Sequence, residues 1–267
     1  MRRLHTRLLL TLVTPLMLAV SACASASTPT VSVPPIAAAP PAAETPQEAS
    51  TDTRPTPPGI HWVRTAAEQR LIYETTYAHA WQVIAPRAAD VAGPWGVIID
   101  ADETLLDNST YQLRRAQAGL GYTGESWNDW VREEAALALP GAVRFTQRVR
   151  EAGGLVAVVT NRDDEVCEET RRNLTAVGIG FDVVLCRTPG PSDKAARFDA
   201  VRTGTTPVGL PPLEVVAWLG DNVGDFPGGT QALRAAPLDA LGDFGVRYFV
   251  FPNPMYGSWE GNTDPGH

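Results

Sequence analysis

The sequence predicts an α/β fold, a doubly wound parallel sheet with helices on both faces and a small helical cap. Five short runs rich in Val and Ile lack polar alternation, as is typical of parallel strands that are covered on both faces. Helical stretches lie between these runs, which favours right-handed β-α-β units. About fifty residues separate the first two runs, too many for one crossover, so a cap is predicted at residues 105–140.

The elements are predicted in the following order. A stripe of apolar residues at helical spacing comes first and is expected to pack on the core: Tyr73, Tyr77, Trp81 and Ile84. The predicted strands are Trp95–Asp100, Leu155–Thr160, Phe181–Cys186, Val215–Gly220 and Val246–Phe251. The predicted core helices are Gly141–Ala152, Asp163–Val177 and Ser192–Arg202. In the cap, Ser126 is expected to be the N-cap of a helix over Trp127–Glu134.

The first 22 residues have the pattern of a bacterial lipoprotein signal peptide. A basic start precedes the apolar run Leu8–Val20, which is too short to span a bilayer but is typical of a signal peptide. The run ends in Val20-Ser21-Ala22-Cys23, which resembles a lipobox with Cys23 as the lipidation site; an ordinary secretory signal is the alternative. By analogy with other lipoproteins, Ala24 favours the outer membrane, with the folded domain in the periplasm.

Residues 23–58 are predicted to be a disordered tether between the anchor and the folded domain. Residues 24–58 contain nine Pro and no aromatic residue, so they cannot bury enough apolar surface to fold. All seven Trp lie after residue 58, which places the folded domain at residues 59–267. Within it, Cys167 and Cys186 form either a disulfide, which an oxidising compartment permits, or two buried thiols.

Charge excludes one class of partner. The chain has a formal charge of −8 and a pI of about 5.0, which argues against broad binding to a nucleic-acid polymer, because such binding depends on many Lys and Arg residues. Of the 22 basic residues, 21 are Arg and only Lys194 is a lysine.

Acidic residues follow the first predicted strand, where parallel sheets bind their ligands. Asp100 and Asp102 lie two residues apart and would repel each other without a cation, so this pair predicts a metal site. A surface acidic turn is disfavoured because a hydrophobic strand leads directly into the pair. An EF-hand loop is excluded because Leu105 stands where that loop needs Gly and a strand, rather than a helix, precedes it.

The other strand ends supply matching groups. Thr160 and Asn161 end the second strand and could bind an oxyanion beside a helix N-terminus, although both residue types are also common N-caps. Asp221 follows the fourth strand and could supply a second carboxylate to the metal. Lys194 begins the helix after the third strand. A lysine there is usually solvated, but in this arginine-rich chain the single compact cation indicates a function.

Four motifs resemble those of the haloacid dehalogenase (HAD) superfamily: Asp100-x-Asp102-x-Thr104, Thr160, Lys194 and Gly220-Asp221-Asn222-x-x-Asp225. More closely, Asp100 to Ser109 is similar to the class C acid phosphatases, the outer-membrane lipoprotein 5′-nucleotidases. Further similar segments are Trp127 to Trp130, Pro140 to Ala142, Thr160 to Arg162, Lys194 to Phe198 and Asn253 to Glu260. The resemblance covers roughly residues 60–260 and implies a HAD-like Rossmannoid sheet with a helical cap.

The residues and the resemblance predict a Mg²⁺-dependent acid phosphatase that hydrolyses phosphomonoesters, with 5′-nucleotides foremost. Mg²⁺ is expected on Asp100, Asp221 and the backbone carbonyl of Asp102. Asp100 is the expected nucleophile and forms an aspartyl-phosphate, while Asp102 is the general acid and base. The expected phosphate-binding residues are Thr160, Asn161 and Lys194, and the expected supports of the metal ligands are Asn222 and Asp225.

Three further points define the predicted function. Haloalkanoate dehalogenases lack an acid two positions after the first Asp, so Asp102 favours phosphoryl chemistry. The resemblance implies an aromatic enclosure for the leaving group from Tyr111, Trp127 and Tyr256, with ordinary cap packing as the alternative. A phosphotransferase and a non-catalytic lipoprotein that binds phosphate compounds are the alternative functions.

Overall fold

The structure is a computed structural model that describes residues 54–263. Its main sheet has five parallel strands: β1 (Trp95–Ile99), β4 (Leu155–Asp163), β5 (Val183–Arg187), β6 (Glu214–Gly220) and β7 (Tyr248–Val250). Their spatial order is β5-β4-β1-β6-β7. Two short strands, β2 (Leu106–Asp107) and β3 (Leu137–Ala138), belong to the insertion after β1 and pair antiparallel with each other. The predicted α/β fold with a parallel sheet is confirmed.

The described helices are α1 (Pro58–Thr65), α2 (Ala67–Ala89), α3 (Ser109–Ala118), α4 (Gly124–Glu133), α5 (Ala142–Glu151), α6 (Cys167–Ala176) and α7 (Ala195–Thr203). Helices α3 and α4, with the β2–β3 pair, form the cap between β1 and β4. Within residues 54–263, no helix is long and apolar enough to cross a membrane.

The sheet is buried on both faces, which explains its continuous apolar runs. Val97 and Ile99 of β1 pack in one core with α2, α5 and α6, while Ile98 between them packs in a second core with α7. After β5 the chain crosses to the other side of β1 and forms β6. The carboxyl ends of β1 and β6 therefore flank the point where the winding direction reverses, which is where such sheets bind ligands.

Several predicted boundaries are wrong. Ser126 is not an N-cap: α4 begins two residues earlier, and the Thr123 hydroxyl accepts a hydrogen bond from the Ser126 N–H at 3.2 Å. The helix predicted from Asp163 begins as α6 at Cys167, because β4 continues to Asp163 and a short 3₁₀ turn follows. Strand β5 begins two residues later than predicted, at Val183, and β7 spans only Tyr248–Val250, because residues 246 and 247 lie in a turn.

Cys167 and Cys186 form a disulfide that joins the start of α6 to β5, with Cα atoms 5.9 Å apart. The alternative of two buried thiols is therefore wrong. The predicted signal peptide, Cys23 and most of the predicted tether lie outside the described residues, and α1 begins at Pro58, the last residue of that predicted tether.

Candidate active site

Lys194 joins the ends of two strands at the reversal point. Asp100 follows β1 directly, and its N–H donates to the Leu219 carbonyl of β6 at 2.9 Å. The Lys194 ammonium donates to Asp100 Oδ1 at 2.5 Å and to Asp225 Oδ1 at 2.6 Å, and all three side chains are buried. The lysine thus ties the nucleophile candidate to the loop after β6.

Burial and like charge dominate the electrostatics of this cluster. Burial would lower the pKa of Lys194, but the carboxylates of Asp100 and Asp225 together raise it above its ordinary value. Burial raises the pKa of Asp100 to about 7, even though Lys194 acts in the opposite direction. Burial and the charges of Asp225 and Asp100 raise the pKa of Asp221 well above its ordinary range. One lysine therefore does not neutralise the three acids.

The acids fit a divalent cation. Asp100, Asp221 and Asp225 each place one carboxylate oxygen within 4.8 Å of the others. Carboxylate oxygens suit hard cations, and a cation would relieve the repulsion that raises these pKa values. Asp225 already uses Oδ1 for Lys194 and accepts the Asn222 N–H at 2.9 Å on Oδ2. Its oxygens are thus engaged, which makes it a support for the loop, whereas Asp100 and Asp221 can hold the ion.

The remaining predicted supports lie in the turn after β6. The Asn222 side chain accepts the Gly224 N–H at 3.0 Å and the Ser258 hydroxyl at 3.0 Å. Asp221 Oδ2 accepts from the Asn253 amide at 2.8 Å. Asn253 was not predicted as a site residue, although it lies in a segment that carries the family resemblance.

Asp102 is held by two residues that sequence analysis did not select. Arg162 Nε donates to Asp102 Oδ1 at 2.9 Å, Arg162 Nη2 lies 2.8 Å from the same oxygen in an ion pair, and Asn108 Nδ2 donates to it at 3.0 Å. The Thr160 hydroxyl lies 3.5 Å from Asp102 Oδ2. Both Arg162 and Asn108 belong to segments that resemble the class C acid phosphatases, and that was the signal that could have found them.

Arg197 contacts the predicted phosphate-binding residues Thr160 and Asn161 near the carboxyl end of β4. It donates to the Thr160 carbonyl through Nη1 and to Asn161 Oδ1 through Nη2, the latter at 2.6 Å. Because the amide oxygen of Asn161 is engaged, its amide nitrogen is the atom left to donate to a ligand. Thr160 is buried and Asn161 is exposed, so these consecutive residues of β4 face opposite sides.

Helix α2 holds the loop that carries Asp102. The Tyr73 hydroxyl donates to the Glu103 carbonyl at 2.6 Å, and the Tyr77 hydroxyl donates to the Thr104 carbonyl at 2.7 Å. Glu103 has a φ of 51°, a left-handed backbone conformation that is unfavourable for residues other than Gly. The predicted apolar stripe of α2 therefore does more than pack, because its two hydroxyls fix a strained loop.

The three aromatic residues predicted to enclose a leaving group lie together. Tyr111 of α3 and Trp127 of α4 have ring centroids 5.0 Å apart, and Trp127 and Tyr256 have centroids 6.5 Å apart. The Tyr111 hydroxyl bonds to Ser126 Oγ at 2.9 Å. The Tyr256 hydroxyl is buried and has no hydrogen-bond partner among residues 54–263.

Comparison with known families identifies this arrangement. Residues 54–259 match the family described as HAD superfamily, subfamily IIIB (acid phosphatase). The chain belongs to this acid phosphatase family. The resemblance stated from the motifs is confirmed, and with it the assignment of this acid phosphatase as a phosphomonoesterase.

Solved structures agree with the family match. The structure of the class C acid phosphatase from Bacillus anthracis is 29% identical to this acid phosphatase, covers 76% of this chain and 85% of its own, and superposes with a TM-score of 0.68. A crystal structure of the Bacillus anthracis class C acid phosphatase with tungstate bound is 30% identical over the same shares, also with a TM-score of 0.68. The predicted HAD-like fold is thereby confirmed.

Proposed function

We propose that this acid phosphatase is Mg²⁺-dependent and hydrolyses 5′-nucleotides and related small phosphomonoesters through an aspartyl-phosphate on Asp100. The observation that carries the proposal is the cluster of the buried Asp100 and Lys194 with the half-buried Asp221 at the carboxyl ends of β1 and β6. Mg²⁺ held by Asp100, Asp221 and the Asp102 carbonyl would supply neutralisation of the phosphate dianion.

The residues of the chain divide the reaction into two displacements. In the first, a carboxylate oxygen of Asp100 attacks phosphorus, the ester P–O bond breaks, and Asp102 gives a proton to the departing oxygen. In the second, Asp102 removes a proton from water as the water attacks phosphorus. The bond from phosphorus to Asp100 then breaks and releases inorganic phosphate. Throughout, Lys194 and the Asn161 amide nitrogen would bind the phosphoryl oxygens.

The aromatic cluster supports a nucleoside leaving group. Tyr111, Trp127 and Tyr256 come from two cap helices and the C-terminal segment, and the Trp127 ring lies against both of the other rings. Stacking on such rings tolerates different bases, so we infer broad specificity among nucleoside monophosphates. The bound tungstate of the Bacillus anthracis relative, a tetrahedral oxyanion like phosphate, is consistent with a small phosphate ester as substrate.

A substrate panel tests the proposal. Phosphate release is measured from 5′-nucleotides, 3′-nucleotides, nicotinamide mononucleotide and p-nitrophenyl phosphate, with Mg²⁺ and with EDTA. We expect a preference for 5′-nucleotides, loss of activity in EDTA, and recovery when Mg²⁺ is restored. Asp100→Asn should abolish turnover, whereas Asp199→Asn, a change at an exposed carboxylate on α7, should leave it unchanged. Full activity of Asp100→Asn or in EDTA would refute the mechanism.

We infer membrane attachment at Cys23 from the lipobox in the sequence, with the outer membrane as its location. The full chain is expressed in a Gram-negative host, and phosphatase activity is measured in membrane and soluble fractions. Phosphatase activity should be found in the outer-membrane fraction. The mature N-terminal peptide should have the additional mass of lipid on Cys23. Equal membrane activity for Cys23→Ser, or a parent N-terminal peptide with the mass of an unmodified Cys23, would contradict lipidation.

A further inference from the structure

We propose that Asn108, Arg162 and Trp130 form a buried network that positions Asp102, engaging its Oδ1 and leaving Oδ2 as the oxygen that transfers the proton. This network, hereafter the Asn108 network, joins the cap to β4. The proposal rests on the proposed role of Asp102 as general acid and extends it by naming the proton-transferring atom and the residues that select it.

The two oxygens of Asp102 have unequal surroundings. Oδ1 accepts two hydrogen bonds, from Arg162 Nε at 2.9 Å and Asn108 Nδ2 at 3.0 Å, and it also lies 2.8 Å from Arg162 Nη2 in an ion pair. A carboxylate oxygen has about two lone-pair directions, so a proton on Oδ1 would displace one of these donors. Oδ2 has only the Thr160 hydroxyl at 3.5 Å, the outer limit of a hydrogen bond. Oδ2 is therefore the oxygen that stays free to face a leaving group.

The orientation of the Asn108 side chain is fixed by its other partners. Its Oδ1 accepts from Trp130 Nε1 at 2.8 Å and from Arg162 Nη2 at 3.2 Å. Indole and guanidinium groups can only donate, so the amide oxygen must face them and the amide nitrogen must face Asp102. Asn108 is 0% and Arg162 1% exposed, so water does not compete for these contacts. The network therefore specifies one donor pattern around Asp102.

Trp130 makes the cap part of this arrangement. It lies on α4, is buried, and its ring is covered by the Arg114 guanidinium at 5.4 Å. Sequence analysis assigned no role to Trp130, but its indole N–H is the contact through which helix α4 of the cap holds Asn108. Arg162 is also near the cap, because its guanidinium lies 5.9 Å from the Trp127 ring. Thus cap residues and a β4 residue jointly set the position of the general acid.

Dependence on the leaving group distinguishes positioning of the acid from a general structural role. The nucleoside alkoxide needs a proton to depart, whereas p-nitrophenolate departs without one. The measured quantity is kcat/KM, which reports only the steps through departure of the leaving group, so the later attack by water does not enter. We compare Trp130→Phe and Arg162→Lys, in Mg²⁺, on a nucleoside 5′-monophosphate and on p-nitrophenyl phosphate.

Both variants should lose kcat/KM on the nucleotide, roughly ten- to a hundredfold, and change less than about threefold on p-nitrophenyl phosphate. Trp130→Phe keeps an aromatic ring while it removes the N–H donor and part of the ring, so it remains informative if Arg162→Lys does not fold. The matched control is Trp218→Phe, since the buried indole N–H of Trp218 has no partner among residues 54–263. That control should leave the ratio of the two kcat/KM values unchanged.

Asp102→Asn separates the failure of this proposal from the failure of the proposed function. If Asp102→Asn reduces kcat/KM selectively on the nucleotide but Trp130→Phe and Arg162→Lys reduce kcat/KM equally on both substrates, the Asn108 network is only structural and the positioning role is overturned. If Asp102→Asn itself reduces kcat/KM equally on both substrates, Asp102 is not the general acid, and the proposed function fails in that step together with this extension of it.

Discussion

At the scale of single residues, Lys194 combines a structural and a chemical requirement. It is the one lysine among 22 basic residues, and its ammonium lies between two buried carboxylates, those of Asp100 and Asp225. A guanidinium is bulkier and donates in a fixed fork, so it cannot replace a compact ammonium that binds two converging oxygens. Arg is abundant in this chain and stands at every other basic position, which is consistent with that steric requirement.

The residue-scale prediction concerns removal of this cation. Lys194→Met should abolish turnover and lower the free energy of unfolding by roughly 3–5 kcal/mol, because it leaves two buried carboxylates without their counterion. Urea unfolding and phosphate release from a nucleotide measure the two effects. Arg202→Met, which breaks an exposed pair with Asp199, should cost less than about 1 kcal/mol and preserve turnover. Equal unfolding midpoints for the two variants would disprove the counterion role.

The site residues differed in how readily they could be predicted from the sequence. Asp100, Asp102 and Asp221 could be selected because each lies at or just after the end of an apolar strand, where a charged side chain indicates a function. Arg162 also follows an apolar strand, but Arg is common in this chain, and Asn108 lies inside the cap insertion, so only the family resemblance of their segments pointed to them. The two residues are 54 positions apart in the chain. Their contact depends on how the chain folds between them, and residue type alone does not encode that.

At the scale of elements, the apolar runs predicted all five strands of the sheet because each strand is covered on both faces. The ends were less predictable, since hydrogen bonding across the sheet extends β4 to Asp163 while β7 stops after three residues. The N-cap of α4 was misplaced by three residues, because Thr123 and Ser126 are both good caps and only backbone geometry selects Thr123.

Helix α2 shows why an element can be predicted without its function. Its stripe predicted a core-facing helix, and Tyr73 and Tyr77 are buried as expected. Their hydroxyls reach carbonyls about 30 residues away in the loop after β1, however, and helical periodicity contains no information on that partner. A buried Tyr where Phe would pack equally well was the available hint, because buried hydroxyls usually have a hydrogen-bond partner.

At the scale of the whole molecule, an acidic protein binds a phosphate dianion by concentrating positive charge at one point. The formal charge of −8 excludes a broad basic surface, yet Lys194 and a bound divalent cation would suffice for one small ester. The same cluster links the stability of the fold to pH and to the metal, because its acids are buried close together at the meeting point of β1 and β6.

The sign of that linkage follows from the raised carboxyl pKa values. In the metal-free protein, burial raises the pKa of Asp100 from an ordinary 3.8 to about 7, and Asp221 shifts in the same direction. The folded state therefore retains protons that the unfolded chain releases. This contribution to stability is fully present below pH 3.8 and is lost as the pH rises to about 7. A divalent cation favours the ionised acids, so its stabilising effect should grow over the same interval.

Thermal unfolding measured between pH 4 and pH 7, with Mg²⁺ and with EDTA, tests this linkage. The difference in Tm between the two conditions should widen as the pH rises, because Mg²⁺ competes with fewer protons. Taking the difference cancels groups that titrate in the opposite sense, such as Asp163, whose pKa is lowered by its hydrogen bond to Arg187. Asp221→Asn should reduce the widening, since it removes one ligand and one raised pKa. A constant difference from pH 4 to pH 7 would show that these acids do not hold the ion.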